Sequence, residues 1–243
     1  MELPEWPEWL DERLLDSGPG AYETLEPRLR AALKSQIALL HRYHGELEGW
    51  ECQSRDWLGR ELRAESTPKS WALFLLDKAY ASPSGLLAAL MPAILAGVEE
   101  VLVCLLADED EKNFELSLPI SAALELAGVE QVWSLNPAQL SRLFVHLRGM
   151  KDCSENAGQA VEPFRGQGDG AVVFLGDWTV NAGTDKFMLD VLRSGLACKC
   201  LPGVFETALR LQPGNEAFWI WPDLTPEFFR RHTAGIFNRE NFS

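Results

Sequence analysis

Hydrophobic positions in the middle of the chain alternate between two patterns. Continuous apolar runs, typical of strands buried on both faces, occupy residues 71–76, 101–106 and 171–175, and a further short strand is predicted at residues 131–135. Stretches with helical spacing lie between them at residues 83–97, 114–128 and 136–149. Strands that alternate with helices of this length predict a parallel sheet with right-handed crossovers. The pattern therefore predicts a doubly wound α/β unit.

The rest of the chain divides around this unit. Apolar residues recur every three or four positions over residues 25–47, which predicts a helix. A second helix is predicted from Pro226 to about Arg239, with Thr225 as its N-cap. We predict an N-terminal arm and helical region over 1–66, the α/β unit over 67–150 and a polar linker over 151–170. Residues 171–243 are predicted to supply a strand that rejoins the core and a C-terminal helical region.

Tryptophans concentrate near both ends of the chain. Trp6 and Trp9 lie in a repeated Pro-Glu-Trp unit, and Trp219 and Trp221 lie in an aromatic run. Large aromatic side chains are costly to leave in water, so the N-terminal arm should pack on its own domain or on a neighbouring subunit. Tryptophans are also common anchors of protein interfaces.

The charge of the chain excludes several kinds of partner. Its 22 Lys and Arg against 36 Asp and Glu give a formal net charge of −14. We expect no binding to nucleic acid or to anionic membranes, because no basic stripe offsets this charge. No apolar run approaches the roughly 20 residues that span a bilayer, and the first residues lack the features of a secretory leader. We therefore expect a cytoplasmic protein.

The sequence contains few candidate catalytic, metal-binding or nucleotide-binding groups. The five cysteines are scattered, and Cys198-Lys199-Cys200 lacks the spacing of a zinc knuckle, so these two thiols are expected in a strand or a turn. His41 and His44 are either a ligand pair or ordinary histidines at a helix end. The general nucleotide-binding and hydrolase fingerprints are absent. The first predicted strand meets Asp77 and Lys78 where a dinucleotide-binding turn would carry glycines.

Three blocks in order along the chain resemble the histidinol dehydrogenase family. They are residues 83–101, with Ala127-Gly128-Val129 downstream, then residues 173–178, and then His232 with Gly235 and Arg239. That family consists of zinc-dependent, NAD-linked enzymes that oxidise an amino alcohol to an amino acid in two steps. The resemblance implies an incomplete Rossmann-like parallel sheet flanked by helices, with helical N- and C-terminal extensions.

The resemblance also implies positions for a site. Phe74 stands at a cofactor-binding tyrosine of the family, and Gln139 matches a cofactor-binding glutamine. His232 and Asp185 match two of the four zinc ligands. The family carries a second α/β domain between the positions of residues 149 and 171, and its acid/base pair and other zinc ligands lie there. The catalytic residues of this chain are therefore unknown, no cofactor is expected, and zinc and NAD enter only through the resemblance.

Two functions follow from these matches and departures. The first is a histidinol-dehydrogenase-like protein that has lost dehydrogenase activity and acts as a small-molecule-binding or assembly module. The alternative is a zinc-dependent, NAD-linked oxidoreductase acting on an amino alcohol, with its ligands completed by a partner subunit. By resemblance, the chain is expected to form a homodimer.

Overall fold

A computed structural model describes residues 6–15, 20–45, 50–55, 60–107, 116–153, 170–176, 197–201 and 218–237. Its α-helices are α1 (Ala21–Thr24), α2 (Pro27–His44), α3 (Pro83–Leu95), α4 (Leu118–Ala127) and α5 (Pro137–Cys153). Its strands are β1 (Trp50–Arg55), β2 (Glu61–Pro68), β3 (Trp71–Leu76), β4 (Glu100–Leu106), β5 (Val132–Leu135), β6 (Gly170–Leu175), β7 (Ala197–Leu201) and β8 (Arg230–Phe237). Short 3₁₀ helices occupy Glu8–Arg13 and Pro226–Phe229.

Five strands form a parallel sheet in the order β5-β4-β3-β6-β7. The central strands β3 and β6 are buried along their whole length, as their continuous apolar sequences require. The predicted α/β class, the parallel sheet and the helix over residues 25–47 are therefore confirmed. The strand β7 also carries Cys198 and Cys200, in agreement with the prediction of a strand or a turn.

The two faces of this sheet bury alternate residues of each strand. Phe74 and Leu76 face a core built with the α1–α4 helices, whereas Leu73 and Leu75 face a core built with α5. The pleat of a strand sends successive side chains to opposite faces, so one apolar run supplies both cores. The sheet is covered by helices on both sides, as a doubly wound fold requires.

The N-terminal arm lies on its own domain. Leu10 is buried, and the ring of Trp6 packs 6.2 Å from the Trp71 ring and 6.0 Å from the Trp133 ring. The Leu15 N–H donates to the Val132 carbonyl over 2.7 Å, which joins the arm to β5 at the sheet edge. The first of the two predicted locations for the arm is therefore the one observed.

The predicted C-terminal helix is wrong. Thr225 and Pro226 begin a single 3₁₀ turn, and the chain then continues as β8, which pairs with β2 over eight residues. The order β1-β2-β8 forms a separate antiparallel sheet. Cross-strand pairing with β2 overrides the helix-start signal, and Thr233 and Gly235 are weak helix formers.

His232 consequently lies on a strand rather than on a helix.

Within the described residues, no helix is long and apolar enough to cross a membrane. The proposed division into residues 1–66, 67–150, 151–170 and 171–243 stays a prediction.

Candidate functional site

The strand order of the parallel sheet reverses direction between β3 and β6. In open α/β sheets, ligands bind beyond the carboxyl ends of the strands at such a switch point. Asp77 follows β3 here and Gly176 follows β6. The turn from Asp77 to the first residues of α3 is therefore the candidate site that the fold defines.

The two strand ends are in direct contact at this point. The Asp77 N–H donates to the Leu175 carbonyl over 2.9 Å, continuing the ladder between the strands. Gly176 has φ +114°, and a Cβ on it would lie 2.5 Å from the Asp77 Cβ. Glycine is required at residue 176 for this close approach. In open α/β sheets the ligand crevice lies beyond the ends of two strands such as these. The half-buried Asp77 lies at that position in this chain.

The backbone N–H groups of Gly85 and Leu86 at the start of α3 already have partners. The Ser82 hydroxyl accepts from the Gly85 N–H over 3.1 Å, and the Ser82 carbonyl accepts from the Leu86 N–H over 3.0 Å. Pro83, in the first turn, has no N–H to give. A pyrophosphate at a helix N-terminus rests on free backbone N–H groups. This helix start offers few of them.

Aromatic side chains close over the same turn. A Cβ on Gly85 would lie 2.5 Å from the Tyr80 hydroxyl, so the phenol fills the space beside this glycine. The indole N–H of Trp221 donates to the Gly85 carbonyl over 2.9 Å. Burial raises the pKa of Tyr80 above its ordinary value, so the folded chain holds this hydroxyl in its protonated form more strongly than an exposed phenol is held. The turn is filled by the chain itself.

The charge at this turn also opposes an anion. Asp77 is half-buried beside the α3 start, and Lys78 is exposed. A carboxylate near a helix start competes with a phosphate for the same positive end of the dipole. The residues present therefore do not fit the pyrophosphate of a dinucleotide.

Phe74 lies inside the protein rather than at its surface. The side chain is fully buried in β3, and its ring centroid is 5.9 Å from that of Phe229. The family position of a cofactor-binding tyrosine therefore carries a core side chain here.

Introducing a hydroxyl at residue 74 should show whether this side chain lies in the core or at a ligand site. We expect Phe74→Tyr to lower the free energy of unfolding by about 1–3 kcal/mol, because a polar group is added to an apolar core. Urea denaturation followed by tryptophan fluorescence measures the change. Tyr22→Phe, at a half-buried position on the short α1 helix, is the control and should change stability little. An unchanged stability of Phe74→Tyr would mean that residue 74 reaches solvent or a ligand site.

Gln139 forms two hydrogen bonds with Asn136 at the start of α5. Its side-chain oxygen accepts from the Asn136 N–H over 2.9 Å, and the Asn136 side-chain oxygen accepts from the Gln139 N–H over 2.8 Å. This reciprocal pair is a capping box. It places the Gln139 amide against its own helix, and its proposed contact with a cofactor stays a prediction.

Of the two predicted zinc ligands, His232 lies within the described residues. The His232 Nε2 lies 2.8 Å from the Glu227 Oε1, and both side chains are largely exposed. Asp185 lies outside the described residues. No group of three or more His, Cys, Asp or Glu that could hold a metal ion occurs in the part of the chain that the structure describes. A structural zinc site takes four ligands and a catalytic site three, so His232 and Glu227 alone do not fit one.

His41 and His44 occupy the last turns of α2 in different surroundings. His41 is exposed, whereas His44 is half-buried and its ring packs edge-on against Tyr43 at 4.9 Å. Burial lowers the pKa of His44 below its ordinary value. The folded chain thus favours the neutral form of this histidine.

This shift predicts a pH dependence of stability. As the pH falls below the ordinary value of about 6.5, the unfolded chain takes up a proton before the folded chain does. The contribution of neutral His44 is therefore complete above that pH and is lost toward the lowered pKa. Urea midpoints at about pH 7.5 and about pH 5.5 should differ less in His44→Gln than in the wild type. An equal reduction in the control variant His41→Gln would contradict the assignment.

Sequence reasoning located the start of α3 but missed what covers it. The Ser82-Pro83 pair is a recognisable N-cap and first-turn signal. Tyr80 carries no pattern that predicts its position, and Trp221 is 136 residues from its partner Gly85. No local signal could have found this contact.

Comparisons with known proteins agree with the fold and with the resemblance. Histidinol dehydrogenase of Wolinella succinogenes is 37% identical over 119 residues, covering 49% of this chain and 27% of that protein. Histidinol dehydrogenase of Sulfurimonas denitrificans is 34% identical over 146 residues, covering 56% of this chain and 32% of that protein. No protein-family model matches the sequence. The chain is thus related to histidinol dehydrogenases over about half of its length, and the match spans only about a third or less of theirs.

A solved structure extends the likeness of fold. The crystal structure of histidinol dehydrogenase from Elizabethkingia anophelis superposes with a TM-score of 0.50 and 11% identity, covering 92% of this chain and 76% of that chain. At this identity the likeness concerns the fold alone. It supports the mixed α/β architecture described above.

Proposed function

We propose that this chain is a histidinol-dehydrogenase-like protein without dehydrogenase activity, and that it acts as an assembly or small-molecule-binding module. The observation that carries this proposal is the capped and covered start of α3. Ser82 and Trp221 engage backbone groups of Gly85 there, and Tyr80 fills the adjacent space. Binding a dinucleotide phosphate at this turn would require breaking these contacts.

A second observation supports the same proposal. Phe74 is a core side chain, and Gln139 is held in a capping box with Asn136. Each residue that the resemblance assigns to the cofactor thus has a structural role in this chain. The parallel sheet keeps its apolar core, so the fold can remain stable without the residues that the family uses for dehydrogenase chemistry.

A turnover assay tests the proposal. The purified chain, prepared without chelator, is incubated with histidinol and NAD⁺, and NADH formation is followed by absorbance. Histidinol dehydrogenase of Wolinella succinogenes, assayed in parallel, is the positive control. We expect no NADH above the enzyme-free blank. A rate that increases in proportion to the concentration of this chain would refute the proposal.

The alternative function is a zinc-dependent, NAD-linked oxidoreductase acting on an amino alcohol, with ligands completed by a partner subunit. The exposed pair of His232 and Glu227 is the feature that favours it, because two metal-binding groups there face outward. This alternative requires about one zinc per chain, lost in His232→Ala. Elemental analysis of both proteins distinguishes the two functions, and a zinc content near zero in the wild type rejects the alternative.

A further inference from the structure

The outward side of α2 carries positive charge on an acidic chain. Between Pro27 and His44 the helix has three arginines, one lysine and no Asp or Glu, whereas the whole chain has a formal net charge of −14. With about 3.6 residues per turn, the helical spacing places these cations within an arc of about 160°. The residues in this arc form the basic face of α2: Arg28, Arg30, Ala31, Lys34, Ser35, Ala38 and Arg42.

The basic face points away from the core. The opposite side of α2 carries the buried residues Leu33, Gln36 and Leu40. The Gln36 amide donates to the Ser84 carbonyl of α3 over 3.5 Å, so this side of the helix lies against α3. The basic residues of the other side are exposed, except for Arg30, which is half-buried. Core packing therefore does not account for the positive charges of α2.

Within the described part of the chain, no carboxylate pairs with the cations of the basic face. Arg30 and Lys34 instead lie at the ring of Tyr22, with the Arg30 Cζ 5.8 Å and the Lys34 Nζ 4.8 Å from the ring centroid. An aromatic ring attracts cations but carries no net charge. These contacts therefore leave the positive charge of the face uncancelled.

The positions of these cations oppose the stability of the helix. Arg30 and Lys34 are separated by one helical turn, and like charges at this spacing repel each other. Arg28 and Arg30 lie near the start of α2, where the helix dipole favours negative charge. An anion bound across the face would relieve both effects, so this arrangement favours an acidic partner.

The length of the basic face indicates the kind of anion that it fits. Arg28 and Arg42 lie about 21 Å apart along the helix axis, at about 1.5 Å per residue. A short polypeptide segment rich in Asp or Glu matches this length. Nucleic acid or an anionic membrane extends further and would be repelled by the rest of a chain of net charge −14. Ala31 and Ala38 are small, so a partner helix can approach closely between the charges.

We propose that the basic face of α2 binds an acidic segment of a partner protein, whose carboxylates pair with the arginines and the lysine of this face. The proposal rests on the assembly role proposed above and adds the chemistry of the partner. The expected affinity depends on salt, because the paired groups lie at the surface.

A binding assay tests the proposal. The probe is a fluorescein-labelled, glutamate-rich peptide of about 14 residues, as long as the basic face when helical, and its glutamine-rich counterpart is the charge control. We expect saturable binding of the acidic peptide alone, measured by fluorescence anisotropy and weakened by added salt. The double variant Arg30→Gln, Lys34→Gln should raise the dissociation constant about tenfold or more. No binding by the wild type, or equal binding of the two peptides, would overturn the proposal.

A second double variant separates the basic face from the net charge of the chain. Arg60→Gln with Arg63→Gln removes the same two charges at exposed residues outside α2. We expect this control to change the dissociation constant by less than about twofold. A loss equal to that of Arg30→Gln, Lys34→Gln would overturn the proposal.

A gain of charge tests the same face without removing any contact. Ala38 is exposed in the middle of the face, so Ala38→Lys should lower the dissociation constant about threefold or more. Ala79→Lys, at an exposed position outside α2, is the matched control and should have a smaller effect. A misfolded variant would not bind more tightly, so this result cannot arise from loss of structure. Equal effects of the two lysine variants would contradict the assignment to α2.

Other occupants of the face give different results. Equally tight binding of a single-stranded oligonucleotide of the same charge, or of phosphatidylserine vesicles, would overturn the assignment to a polypeptide. Sedimentation equilibrium without peptide tests a second copy of this chain. Self-association of the wild type that is lost in Arg30→Gln, Lys34→Gln would show that the face binds another copy, which would also overturn the proposal. None of these measurements depends on turnover, so their failure is distinct from failure of the proposed function.

Discussion

Replacing Arg230 with alanine is expected to lower the free energy of unfolding by about 3–5 kcal/mol. The Arg230 side chain is buried at the start of β8, where its Nε donates to the Ser66 hydroxyl over 2.8 Å. Its two Nη atoms donate to the Ser66 carbonyl over 2.6 Å and to the Ala96 carbonyl over 3.1 Å. The variant would leave these acceptors without their donors and would open a cavity between the antiparallel sheet and the end of α3.

Urea denaturation measures this loss, and a neighbouring residue provides the control. His232→Ala changes the same strand at an exposed position and should cost less than about 1 kcal/mol. Arg230→Lys keeps the charge but cannot reproduce the planar set of donors, so its stability should lie between that of Arg230→Ala and the wild type. A loss below about 1 kcal/mol for Arg230→Ala would show that this buried arginine does not hold the antiparallel sheet to the end of α3.

Replacing Gln36 with leucine is expected to cost about 2–4 kcal/mol. Gln36 is completely buried on α2, and its side-chain oxygen accepts from the Trp219 N–H over 2.9 Å. Its amide group also donates to the Trp219 carbonyl. One side chain therefore satisfies both backbone groups of a buried residue. Leucine has a similar size but leaves both groups unpaired.

The comparison that isolates this effect stays on the same helix. Ser35→Leu places the same side chain at an exposed position of α2 and should change stability by less than about 0.5 kcal/mol. Both variants are compared by urea denaturation with the tryptophan emission recorded. Similar stabilities for the two leucine variants would contradict the role assigned to Gln36.

Strands β3, β4 and β6 of the parallel sheet could be predicted because they contain continuous apolar runs, whereas β7 has Lys199 between its two cysteines and was predicted only as a strand or a turn. The antiparallel sheet could not be predicted, because β1 and β2 are exposed over much of their length and carry charges such as Glu51, Glu61 and Arg63. Strand alternation is visible in sequence only when one face is buried. β8 was predicted as a helix because Thr225 and Pro226 form a genuine start signal, which the structure uses for one 3₁₀ turn.

The candidate site was predictable only in part. Asn136 and Gln139 are three residues apart, so their capping box could have been recognised from the sequence. Gln36 occupies a position between Leu33 and Leu40 on the buried stripe of α2, where its polar character gives no hint of its distant partner. Contacts between residues far apart in the chain, such as Trp221 with Gly85, depend on the tertiary fold.

The parallel sheet and the helices that cover it form an apolar frame, while the turn after β3 is occupied by Asp77, Tyr80 and Ser82. We propose that this frame serves assembly or small-molecule binding without the dehydrogenase chemistry of the related family.

Titration of the purified chain with NAD⁺ by isothermal calorimetry measures whether the turn after β3 binds a dinucleotide. We expect no saturable heat up to about 1 mM NAD⁺, because the helix start that would hold the pyrophosphate is capped by Ser82 and covered by Tyr80 and Trp221. Saturable binding of one NAD⁺ per chain with a dissociation constant below about 0.1 mM would contradict it.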